Sequence, residues 1–135
     1  VKNFLLASEE DKNLLVNNYF SPLFKSLQVS MNEGWSRSAK THKKFGFDLT
    51  FFASAVEIPE SEKSFEILGF NNLTSSSNSI PTIFGEETNE GLSVSFQPAG
   101  EDYTISASFP AANGYGSILK EGRMILPNIQ FSIGL

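Results

Sequence analysis

His42 is the one histidine of the chain and stands in "KTHKK" among Lys40, Lys43 and Lys44. Asp48 follows shortly and serines are plentiful, so a Ser–His–Asp relay can be written on paper. No G-x-S-x-G elbow or comparable catalytic context accompanies it, and the coincidence carries no chemistry. The basic segment reads instead as a solvated turn ahead of a strand; its functional alternative is a cationic rim for lipid phosphates or sulfated sugars. Two acidic pairs, Glu86–Glu87 and Glu101–Asp102, fall in loops without the D-x-D-x-D-G spacing of a calcium loop. Nothing sets two carboxylates across a cleft for glycoside chemistry. "NLT" at Asn72 matches the glycosylation acceptor pattern. "NGYG" (Asn113–Gly116) is turn chemistry without the strand-to-helix junction of a phosphate cradle. With no cysteine there is neither a disulfide nor a thiolate metal site. The expectation is a non-enzymatic protein with no cofactor and no metal.

The elements around these residues are better marked. A chain of 135 residues fits one domain, and a net charge of −5 gives no basic field for nucleic acid. Charged residues make up only 19%, while thirteen Phe stand against three Tyr and one Trp. No run approaches the roughly 18 apolar residues of a spanning helix. The apolar stretch at the start is too short for a signal-peptide core, so export would require a leader already removed.

Ser8 followed by Glu9, Glu10 and Asp11 predicts a helix start. Ser21 and Pro22 look like a second one, with Leu23, Leu27 and Met31 as an apolar stripe and Gly34 as the stop. Two short helices or one kinked helix are expected over residues 9–32. Such a helix either packs on an ordinary core or lies across a barrel mouth. After Gly34 the period becomes that of strands: "LSVSFQ", "YTISASF" and "NIQFSIGL" alternate cleanly, with "PAGED" as a hairpin turn between the first two. A weaker strand is expected at Ser64 to Phe70. The stretch Asn71–Gly91 reads as a long exposed loop, or an excursion pinned by Ile80, Ile83 and Phe84.

The longest alternating run is "FGFDLTFFASAVEI". Phe45, Phe47, Leu49, Phe51, Ala53 and Ala55 share one face; Asp48, Thr50 and Ser54 share the other, with Phe52 and Val56 interrupting. The polar faces of these strands carry Ser, Thr, Gln, Asn and Gly rather than the Lys and Glu of a soluble sheet. That pattern suits a barrel lumen or a crowded interface. The run is also long enough to cross a bilayer at a tilt. A β-sandwich would give similar alternation, with the phenylalanine face closed by a second sheet.

The order of "SPLFKSLQVSMNEGW", "AKTHKKFGFDLTFFASAVEIPES", "PTIFG" and a P-x-x-Q-x-S-I-G-L ending resembles a family of uncharacterised outer-membrane proteins of Bacteroidota, similar to FadL-type transporters of hydrophobic compounds. The resemblance implies a mainly β fold with an N-terminal α-helix: an antiparallel outer-membrane β-barrel, of which this chain is the N-terminal part or a shortened form completed by other chains. Residues 1–34 would be a helical plug or mouth segment, and 35–135 the first strands with the long loop 71–91. It further implies a Gram-negative outer-membrane location, lipid as a partner, and transport or binding of a small hydrophobic ligand. Phe20, Phe24, Leu27, Met31 and the lumen-facing Asp48 would then be ligand-side contacts, with Phe45, Phe47, Leu49 and Phe51 facing lipid. The rival expectations are a scaffold subunit of an outer-membrane complex, docking through Asn71–Gly91, and a soluble β-sandwich that binds glycan or protein.

Overall fold

The computed structural model describes residues 7–33 and 43–134. The expected stop at Gly34, and Trp35, Lys40, His42 and Leu135, lie outside the described residues. The chain is mainly β with one N-terminal helix, and its strand pairs are antiparallel.

Helix α1 (Glu9–Asn32) starts where the sequence marks it. Ser8 holds extended backbone, and its hydroxyl accepts the Asp11 N–H at 3.1 Å. Glu9, Glu10 and Asp11 then face the positive end of the helix. The second start expected at Ser21–Pro22 does not form; a single helix of 24 residues runs through Pro22. Proline gives no N–H to the carbonyl of Asn18, which costs about 3 kcal/mol in an unsupported helix interior. Here the Pro22 ring is buried in a cleft shared with Val56 and Ile58, and tertiary packing carries the helix across the break.

Among the described residues seven strands follow: β1 (Phe47–Glu57), β2 (Ser64–Glu66), β3 (Leu73–Ser75), β4 (Ser79–Pro81), β5 (Gly91–Phe96), β6 (Ile105–Pro110) and β7 (Arg123–Ile133). They form a β1–β7 ribbon, a β2–β4 pair and a β3–β5–β6 sheet. The expected hairpin across "PAGED" is β5–β6, turned with the help of Gly100 at φ +87°. The weak strand expected from Ser64 to Phe70 shortens to β2. The stretch 71–91 is not a free loop: it contains β3 and β4 and is pinned by the buried Ile80 and Phe84.

The last strand is longer than its alternating run suggested, starting at Arg123 and passing through Pro127. Among the described residues β7 pairs on one side only, so the missing proline N–H can fall on the unpaired side.

Two clusters hold the elements together. Leu73, Ile80, Leu92, Val94, Ala111 and Ala7 form one, joined by Leu15, Phe65 and Phe109. Val56, Ile58 and Phe84 form the other, joined by Leu23 and Met124. "NGYG" locks against the turn at Gly85, where the Tyr115 N–H reaches the Ile83 carbonyl and the Gly116 N–H that of Gly85, both at 2.7 Å. A Cβ on Gly85 or Gly114 would strike backbone oxygen there.

Candidate functional site

The β1–β7 ribbon pairs all eleven residues of each strand, from Phe47 opposite Ile133 to Glu57 opposite Arg123. Alternation sorts its side chains. One face carries Phe47, Leu49, Phe51, Ala53 and Ala55 beside Ile125, Pro127, Ile129, Phe131 and Ile133, and every one of them is exposed. Phe47 is 74% exposed and Ile129 70%. The other face carries Asp48, Thr50, Phe52, Ser54 and Val56 beside Met124, Leu126, Asn128, Gln130 and Ser132. Phe52 and Val56, which break the polar alternation in the sequence, belong to this face, where Val56 enters a buried cluster. Phe45 is also exposed, but it sits in the turn before the strand at φ +61° rather than in the alternation. The Lys44 ammonium lies 5.8 Å from the centre of its ring.

Helix α1 packs on the polar face of this ribbon, the reverse of a soluble helix–sheet layer. Its buried residues are Asp11, Pro22, Ser26 and Ser30. The Asn128 side-chain amide donates to Ser54 Oγ at 2.8 Å and to Ser30 Oγ at 3.2 Å, tying helix to both strands. Ser26 Oγ donates to the Leu23 carbonyl at 2.8 Å and lies 3.5 Å from Met124 Sδ. The apolar stripe expected to bury itself does so only partly: Leu23 and Leu27 are half-buried, and Met31 is 64% exposed. Phe24 is 62% exposed. Small serines approach the ribbon more closely than those long side chains could, and the Ser30 hydroxyl accepts from Asn128.

The start of α1 is anchored by charge. Asp11, 1% exposed, accepts the backbone N–H groups of Asn71, Asn72 and Leu73 at 2.8, 2.9 and 3.1 Å. Asn72 Oδ1 accepts the Ser8 N–H at 3.3 Å, and the Asn71 side chain donates to Glu10 at 3.0 Å. Asn72, the sequence's glycosylation match, is therefore engaged in the helix anchor.

Beyond this anchor, α1 and the two smaller sheets flank a cavity of about 390 Å³, open to solvent on one side and lined by Leu15, Val16, Tyr19, Phe20, Phe65, Ile80, Pro81, Leu92, Phe109, Pro110 and Ala112. The Tyr19 hydroxyl donates to the Asn113 carbonyl at 2.7 Å. Burial, and then the charge of Tyr115, raise its pKa above the ordinary 10.0.

The expected ligand residues are not brought into one site. Phe20 lines the cavity and stacks edge-on against Tyr19 at 4.8 Å. Met31 lines a separate cleft with Phe52, Asn128 and Phe131, and neither space includes Asp48. Asp48 is exposed on the helix-facing side of the ribbon, opposite Ser132 in register. Leu92 and Phe109 stand on the apolar faces of the alternating runs in the sequence. The gap beside them does not show there, because it arises where three elements meet.

Among the described residues no group of three His, Cys, Asp or Glu side chains could hold a metal ion. No described helix is long and apolar enough to cross a membrane, which says nothing of strands. Comparison with curated proteins and with solved structures returns no match. A family of unknown function (DUF6588) matches over residues 1–135, and the chain belongs to it.

Proposed function

We propose that this protein is an outer-membrane β-barrel protein, with β1 and β7 as wall strands and α1 lying against the inner side of that wall, and that it binds or transports small hydrophobic molecules. One observation carries the reading: the ribbon's apolar face is bare along its whole length, while the helix packs on the opposite face around Ser54, Val56 and Asn128. In water the hydrophobic effect drives the opposite arrangement, since about 25 cal/mol is lost for each Å² of apolar surface left exposed. In a bilayer an outward apolar face and an inward face of Ser, Thr, Asn and Gln are what strands require.

Length agrees with this. Eleven residues span about 36 Å, or roughly 28 Å along the membrane normal at a tilt of about 40°. Charge flanks the ribbon, with Glu57 and Arg123 at one end and Lys43 and Lys44 near the other. Among the described residues each strand has one free edge, and in hydrocarbon those edges must pair with further strands, with Pro127 leaving one position of the β7 edge without a donor. The exposed Phe24 and Met31 on α1 give the interior an apolar lining, which fits hydrophobic cargo and the family resemblance read from the sequence. Expression in a Gram-negative host tests the reading. The protein should stay with outer membranes through alkaline carbonate washing; release into the aqueous phase as a monodisperse species would contradict it.

A further inference from the structure

We infer that the cavity between the N-terminal half of α1 and strands β2, β4, β5 and β6 is a binding site for an uncharged, mainly hydrocarbon small molecule. This deepens the proposed function and rests on it for its physiological setting.

A volume of about 390 Å³ lies within the usual range of small-molecule sites, roughly 300–1,000 Å³. The floor is the fully buried Ile80 and Leu92, and the walls are the half-buried Leu15, Phe65 and Phe109. Val16 and Ala112 are exposed at the rim. The walls are held from both sides of the gap, by the Asp11 anchor near the helix start and by the Tyr19–Asn113 bond. The shape is therefore preformed, which lowers the entropic cost of binding.

The lining also selects its occupant. No residue in it is charged, and its one side-chain polar group, the Tyr19 hydroxyl, already donates to Asn113. An ionised carboxylate would enter without a cationic partner, at a large desolvation cost. A peptide segment would bring backbone N–H groups that these side chains cannot accept. A hydrocarbon, with at most one neutral hydroxyl near Tyr19, meets no such penalty.

The test uses the full-length protein in lipid vesicles, titrated with the neutral fluorophore N-phenyl-1-naphthylamine after subtraction of empty vesicles. Saturable binding is expected, displaced by 1-dodecanol and at least about tenfold less readily by dodecanoate at alkaline pH. Val16→Trp combined with Ala112→Trp, both on the exposed rim, should weaken binding by about tenfold or more while leaving the fold intact. A missing saturable component, equal competition by dodecanoate, or unaltered binding in the double variant would overturn the site. Flotation of the same vesicles separates the two proposals. Protein that floats without saturable binding overturns the site alone. Protein that stays in the aqueous phase yet binds the probe saturably supports the site and overturns the membrane reading.

Discussion

An arginine placed along the outward face of β1 should cost more the deeper it lies. The middle of the ribbon is the Phe52–Asn128 pair, so Phe51 is one residue from the centre and Phe47 five. With about 3.3 Å per residue and a tilt near 40°, Phe51 sits about 2.5 Å from the midplane and Phe47 about 13 Å from it. Arginine on the lipid face of a barrel costs about 2–4 kcal/mol at the midplane and about 0–1 kcal/mol near the interface. Phe51→Arg should therefore destabilise the inserted protein by about 2–3 kcal/mol more than Phe47→Arg, roughly a 30- to 150-fold difference in the folding equilibrium. Gln130→Arg, on the helix-facing side, should cost less than Phe51→Arg although it is nearly as central. The assay is reversible urea titration of folding into vesicles, with tryptophan fluorescence as the readout. Equal costs at Phe47 and Phe51 would refute the depth assignment, and a larger cost at Gln130 would mean that the faces are reversed.

Asn128→Ala should cost about 1–3 kcal/mol, because it strips a donor from the buried Ser30 and Ser54 hydroxyls. A double-mutant cycle with Ser30→Ala should return a coupling of about 0.5 kcal/mol or more. Asp11→Ala removes the acceptor of three backbone N–H groups, of which that of Leu73 is buried, and should cost about 1–3 kcal/mol, read as lost hydrogen-exchange protection at Asn71, Asn72 and Leu73. The folded state keeps the Tyr19 proton past the unfolded pKa, so stability should fall as pH rises above 10.0. Tyr19→Phe should flatten that decline in urea midpoints measured across the alkaline range.

Alternation made the strands legible because each half-buried strand writes its two faces directly into the sequence. Phe47, Leu49 and Phe51 could thus be assigned to one side before any pairing was known. Phe52 and Val56 could not be placed by the same rule. Val56 sits where the second core cluster reaches under the ribbon, and Phe52 lines the cleft beside Met31; both contacts are set by tertiary packing. Pro127 hid the first half of β7, since a proline reads as a break unless the strand is known to lie at an edge. Pro22 misled in the same way, inviting a second helix where buried packing sustains one. The Ser26–Ser30 face of α1 is silent in the sequence beside the Leu23–Leu27–Met31 stripe, because serine at helical spacing announces nothing without Asn128 opposite Ser30. The cavity was the least legible feature: its residues look like ordinary core, and only the fold shows the open space that α1 and the two sheets leave above them.

The most direct measurement is nitroxide scanning of β1 in vesicles, one label at a time from Phe47 to Val56, comparing collision with oxygen and with a water-soluble nickel chelate. Oxygen accessibility should peak at Phe47, Leu49, Phe51, Ala53 and Ala55 and dip at the residues between, with period two. Chelate-accessible labels on both faces, or oxygen maxima at Asp48, Thr50 and Ser54, would show that the bare apolar face does not meet lipid.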